Sequence, residues 1–279
     1  MNIQNIKGII SFEPTRNLRN PLIIIAIVFI LVWFLWICLY LIDNAETIIR
    51  VVNQSGGRTE LFIFAILKKV LDESVSNLLT NHSPLLGTFF FFSLLITPMF
   101  GILFSSDQTA SDIGRKHIRF LLPRVNRISL YLSRILSTWI AWSIIVLLMT
   151  LIVTLVIGLS RTTDLTGPLI LFGLRIALTL SIYGLPFIAM MAFANSFTSS
   201  AAIALLLGWA FWIITTLLTW IGGAFGDEYE YIQFIFPSSV KYYMLSDDIT
   251  VVLGSIGLTL LYSLVFTALG WLIITKRDL

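Results

Sequence analysis

No Asp, Glu, Lys or Arg occurs between Arg134 and Arg161, and none occurs between Arg175 and Asp227. A bilayer core about 30 Å thick is crossed by about 20 apolar helical residues, so the first gap holds one span and the second holds two. Residues 21–42, PLIIIAIVFILVWFLWICLYLI, form another uncharged run of spanning length. In hydrocarbon, backbone N–H and C=O groups must be satisfied within the chain, and runs of this length do so as α-helices. The chain is 57% hydrophobic and 12% charged, which excludes a soluble globular domain. The expectation is an all-α integral membrane protein with six transmembrane helices, at about 21–42, 84–106, 134–159, 168–194, 200–222 and 250–274. Together they make one transmembrane domain over residues 1–279.

The segments between spans carry their own patterns. Ile3, Ile6 and Ile10 recur at near-helical spacing beside Lys7, Arg16 and Arg19, which predicts an interfacial helix over residues 1–20 rather than a cleaved signal peptide. Phe64, Leu67, Leu71, Val75 and Leu78 form a helical stripe opposite Lys68, Lys69, Asp72 and Glu73. That stripe predicts an amphipathic helix on the outer surface, with His82 in a solvated loop behind it. Pro98 and Pro186 predict kinks in the second and fourth spans, and Asn195 with the hydroxyl residues after it predicts a break before the fifth.

Charge orients the chain. With both termini inside, the inner segments hold eleven Lys and Arg against four acids, and the outer loops hold six against eleven. The positive-inside rule therefore puts the termini in the cytoplasm of a multi-pass protein, and the expected location is the plasma (inner) membrane of a prokaryote. The basic segment 107–133 is then cytoplasmic. It carries Arg115, Lys116, Arg119, Arg124 and Arg127 against Asp107 and Asp112, and Ile113, His117, Phe120 and Leu121 recur at helical spacing up to Pro123. Two readings of it stand: a topology signal touching anionic lipid headgroups, or a surface that meets a soluble partner.

The series Asp112, Gly114, Phe120-Leu121-Leu122-Pro123, Arg127 and Arg134 resembles the cytoplasmic loop of ABC-2 type permeases, the membrane subunits of one class of ATP-binding-cassette exporters. The proline sits one place earlier than in the family, Arg124 occupies the expected site, and Arg115 and Lys116 follow the glycine in place of a small or hydroxylated residue. The C-terminal Lys276-Arg277-Asp278-Leu279 is also similar to that family. The resemblance implies a coupling helix whose Asp112, Arg115, Lys116, Arg119, Phe120, Arg124 and Arg127 meet a separate ATP-binding subunit. It also implies an N-terminal helix that cradles that subunit, and a second permease chain completing a homo- or heterodimer. ATP and Mg would be bound by the partner ATPase, with no cofactor on this chain.

Candidates for a pathway or gate follow. Arg175 is the one charge inside a span, where an ionisable residue marks a functional site, a structural bond or a snorkelling side chain. Pro186 marks the break in the fourth span, and Tyr229, Phe234 and Phe236 lie in an aromatic outer loop that reads equally as an interfacial belt. Enzymatic readings lack their parts, since no phosphate-binding Gly-x-x-x-x-Gly-Lys-Ser/Thr, His-Glu-x-x-His or Gly-x-Ser-x-Gly occurs. Basic residues beside membrane spans are no nucleic-acid signature, so lipids and protein subunits are the expected partners. A secondary transporter or a membrane receptor or scaffold is the alternative, although no acid lies within any expected span to couple an ion.

Overall fold

A computed structural model of the chain describes residues 21–55, 78–79, 81–114, 126–160, 166–224 and 236–276. The described residues contain helices and no strands. Six of the helices are long and apolar enough to cross a membrane, so the protein is an all-α, multi-pass membrane protein. They are α1 (Pro21–Asp43), α3 (Pro84–Phe104), α5 (Arg127–Gly158), α6 (Gly167–Phe197), α7 (Ala201–Ala224) and α8 (Ile249–Lys276). Two shorter helices, α2 (Ala45–Ser55) and α4 (Ala110–Gly114), follow α1 and α3. The interfacial helix expected over 1–20 and the outer stripe from Phe64 to Val75 lie outside the described residues.

Burial sorts the helices into a centre and a periphery. The most apolar windows of α3 and α6 are each 78% buried, against 22–33% for the other four, so α3 and α6 form the core. α6 packs most extensively on α8 and α5 and also on α3 and α7, while α1 lies mainly against α3. In α1, Ile23, Ala26, Ile30, Phe34, Ile37 and Leu41 are buried, whereas Ile25, Val28, Val32, Leu35 and Leu39 are exposed. Both faces are apolar, so packing rather than polarity chose the inner one, as expected where the solvent is lipid. Phe34 sits edge-on to Phe89 of α3 at 5.6 Å, and Phe29 edge-on to Phe100 at 5.8 Å.

Close approach of helix backbones depends on glycine at two crossings. At Gly184 of α6 an added Cβ would lie 2.4 Å from Nε1 of Trp142, and at Gly270 of α8 it would lie 1.9 Å from the hydroxyl oxygen of Tyr131. Trp142 and Tyr131 both belong to α5, so the glycines admit its two largest buried side chains. Polar side chains add bonds to helix carbonyls near both prolines. Thr97 Oγ1 donates to the Ser93 carbonyl at 2.7 Å, five residues before Pro98, and Trp139 Nε1 of α5 donates to the Ser181 carbonyl at 3.0 Å, five residues before Pro186.

Two boundaries differ from expectation. α5 begins at Arg127, because Asn126 caps it by accepting the Ile128 N–H at 3.3 Å, so Arg134 lies within the helix rather than at its entrance. α6 continues to Phe197, so Asn195 is a fully buried helical residue and the break before α7 falls at Thr198–Ser200. The burial of Arg134 and Asn195 within these helices rests on long-range polar bonds that supply partners to groups otherwise too costly to bury.

Candidate functional site

The end of the bundle where α3 and α6 terminate and α5 begins carries a buried polar collar. α3 stops at Phe104, and Ser105, Ser106, Asp107, Gln108 and Thr109 follow as a non-helical stretch that is nevertheless buried. Buried backbone outside a helix requires partners from elsewhere, and three side chains supply them. Asp107 orders the α4 turn by accepting the Ser111 N–H at 3.0 Å and the Ser111 hydroxyl at 2.6 Å. Asn195 of α6 accepts the Ala110 N–H at 3.3 Å and donates to the carbonyls of Met191 at 2.7 Å and Ser105 at 3.4 Å. Arg134 of α5 donates to the Gln108 carbonyl at 2.6 Å and forms an ion pair with Asp112.

The collar reaches three spanning helices. Gln108 Nε2 donates to the Ile188 carbonyl of α6 at 3.3 Å. At Gly114 an added Cβ would lie 2.3 Å from the Ser199 carbonyl oxygen, so the end of α4 rests on the turn that joins α6 to α7. Residues 107–114 are thus joined to α5 through Arg134, to α6 through Asn195 and to the α7 entrance through Ser199.

Of the residues expected at this surface, Asp112 is engaged by Arg134, and Arg127 donates to the Ile274 and Thr275 carbonyls at 3.3 and 3.5 Å. A cation on the last carbonyls of α8 complements the helix dipole and ties α5 to α8, so Arg127 points into the bundle end. Arg115, Lys116, Arg119, Phe120 and Arg124 lie outside the described residues.

The opposite end carries a second polar cluster, the clasp. Arg175 Nη1 donates to Asp247 Oδ1 at 3.0 Å, and its second amino group donates to the Ser246 carbonyl. His82 Nε2 is 3.1 Å from the same carboxylate oxygen, and Asn81 Nδ2 donates to Oδ2 at 3.0 Å. The His82 ring stacks on Phe172 with centroids 4.1 Å apart and planes 5° from parallel. Although partial burial pushes the Asp247 carboxyl up, the bonds from Asn81 and Arg175 and the charge of His82 outweigh it and hold the group below its ordinary value. Arg175 thus makes a structural bond, and His82, expected in a solvated loop, is bonded and stacked.

The remaining candidates are dispersed. Pro186 is buried in α6, about 16 Å along the axis from Arg175, so the two do not share a site. Phe236 meets Phe211 of α7 edge-on at 6.4 Å, while Tyr229 and Phe234 lie outside the described residues. Among the described residues no group of three or more His, Cys, Asp or Glu could hold a metal. Sequence reasoning missed Gln108, Asn195 and Asp247 as site residues and read Arg134 as the base that opens the third span. Asn195 had a signal: it is the sole Asn or Gln between Arg134 and Asp227.

Comparison with known families matches residues 61–279 to the family described as "Protein of unknown function (DUF2705)". The chain belongs to this family. The matched stretch contains the whole collar and the whole clasp and begins beyond α1 and α2. Comparison with curated proteins gives no match.

Proposed function

We propose that this chain is the permease subunit of an ABC-2 type, ATP-driven exporter. It forms the transmembrane pathway as a dimer with a second permease chain and is driven by separate ATP-binding subunits. It resides in the plasma (inner) membrane of a prokaryote, with both termini and the collar end in the cytoplasm, a reading supported by the excess of Lys and Arg at that end.

The observation that carries the reading is the collar. A lipid-facing loop needs no fixed internal geometry, yet here the residues leading into the basic segment are buried and bonded to α5 and α6 and seated on the α6–α7 turn. Such a connection converts a push on residues 115–125 into movement of three spanning helices. ATP hydrolysis on the partner supplies the push, and the helices switch the pathway between two arrangements.

The test is affinity purification of the tagged chain in mild detergent, with mass spectrometry of what remains bound, for the parent and for Arg119→Glu with Arg124→Glu. The expected result is an ATP-binding subunit retained by the parent and lost on charge reversal. A chain that inserts normally yet retains no ATPase in either form refutes the proposal and leaves a secondary transporter or a receptor.

A further inference from the structure

Lys241 lies in a 3-10 turn, Pro237–Lys241, that packs on α3, α6, α7 and α8. Phe236, which opens the turn, meets Phe211, thirteen residues before the clasp end of α7, and the Ser239 side chain hydrogen-bonds Tyr262, thirteen residues into α8. Each contact lies about 20 Å along its helix from the clasp end, so the turn is set among the helices. Lys241 has no counter-charge there. The ion pairs among the described residues involve His82, Arg134 and Arg175. The two acids nearest in the chain are engaged elsewhere, Asp247 by Asn81, His82 and Arg175, and Asp248 by Thr250. What lies against the ammonium is the Tyr242 ring at 4.9 Å, which compensates a desolvated cation only in part. Burying an ammonium is costly unless an anion meets it.

Ser238 adds a donor on the same side. Residues i and i+3 of a 3-10 turn eclipse, which aligns Ser238 with Lys241. Ser238 is 7% exposed, and its buried hydroxyl makes no hydrogen bond among the described residues. Native interiors leave few such groups. A buried hydroxyl and an uncompensated cation, aligned one turn apart, are the parts of an anion site.

We propose that Lys241 and Ser238 form a binding site for a phosphate group, with the ammonium as its counter-ion and the serine hydroxyl as a second donor. Phosphate suits the pair because its oxygens accept from both at once and lysine binds it as a point charge. The group arrives on a lipid. Both this turn and the next, Tyr243–Leu245, lie along α8, whose exposed Leu253, Leu260 and Leu264 are apolar, and Lys241 itself is left partly exposed. Burial of acyl tails against such a flank offsets the desolvation of the headgroup. The site concerns binding alone and holds whether or not an ATPase drives the chain.

Three probes separate the phosphate from what carries it: dioleoyl phosphatidic acid, dioleoylglycerol, which has the same tails without the phosphate, and inorganic phosphate. Each is titrated against the full chain in a neutral maltoside detergent, and affinity is read from the rise in melting temperature, for the parent, Lys241→Met and Lys241→Arg. The expected result is phosphatidic acid bound about tenfold tighter than dioleoylglycerol by the parent, a preference abolished in Lys241→Met and kept in Lys241→Arg, with inorganic phosphate bound more weakly than the lipid. Inorganic phosphate bound as tightly as phosphatidic acid, and lost in Lys241→Met, supports the site with the free anion as its source. The basic residues at the collar end are the same in every variant, so phosphatidic acid bound equally by Lys241→Met is held there, and that result overturns the proposal. So does a parent that binds phosphatidic acid no better than dioleoylglycerol and shows no response to inorganic phosphate.

Discussion

Arg134, about two turns inside α5, and Asp112, in the α4 turn, form an ion pair in which the arginine side chain is 3% exposed and the carboxylate 15%. Removing one partner of a pair this deeply placed takes away the other charge's buried counter-ion. Arg134→Met is therefore expected to destabilise the protein by about 3–5 kcal/mol. Asp112→Asn should do less, since the guanidinium keeps the Gln108 carbonyl. Thermal melts in detergent of the parent, both single variants and the double variant form a cycle, and the double variant should be more stable than the sum of the singles predicts. Strict additivity would mean that the two side chains are not coupled.

Gly184 tests the α5–α6 crossing. A methyl group there would lie 2.4 Å from Trp142 Nε1, closer than any contact allows, and Trp142 is 1% exposed with little room to retreat. Gly184→Ala is expected to cost about 1–3 kcal/mol by overpacking. Gly254 of α8 meets nothing within 4 Å, so Gly254→Ala should be neutral or slightly stabilising. Combining Gly184→Ala with Trp142→Phe should recover part of the loss. Equal melting temperatures for the two alanine variants would contradict the crossing.

The six spans are legible in the sequence because lipid imposes a simple demand: runs such as residues 21–42 are long, uncharged and apolar whichever way they face. The site is less legible because its bonds join residues far apart in the chain. Arg134 reads as the base that opens a span, and nothing local says that Asp112 and the Gln108 carbonyl will draw it inside the bundle. Asp247 reads as one acid among many in an outer loop, yet its partners are at positions 81, 82 and 175. Asn195 sits in a run of hydroxyl residues that resembles a turn, and only its bonds to Ala110 and Ser105 account for its burial in a helix. Periodicity reports which face of a helix is apolar, whereas these pairings are set by tertiary contact.

Acid should weaken the clasp. The groups facing Asp247 are Asn81, His82 and Arg175, while its neighbour Asp248 is turned to the Thr250 N–H at 2.8 Å and hydroxyl at 2.7 Å. Because the folded carboxyl titrates below its ordinary value of 3.8, its contribution to stability is complete above that pH and is lost as pH falls through the lower, folded value. The melting temperature of the parent should therefore fall more steeply below pH 4 than that of Asp247→Asn, which has no proton to gain at this site. Parallel acid profiles for the two proteins would show that the carboxylate is not held by its neighbours.

Lys241 should act with the opposite dependence. Burial pushes its ammonium down to about 8 from the ordinary 10.5, with the Tyr242 ring beneath it and no carboxylate paired with it among the described residues. Below about 8 both the folded and unfolded chains carry the charge, and burying it destabilises the fold. Between about 8 and 10.5 the unfolded chain still holds a proton that the folded chain has released, so stability rises with pH across that window. Lys241→Met, which keeps a flexible side chain of similar length without the charge, should melt higher than the parent at pH 7. Its advantage should shrink steadily between pH 8 and 10 in melts of nanodisc-embedded protein. An advantage that stays constant with pH would place Lys241 in water rather than in the half-buried turn over residues 237–241.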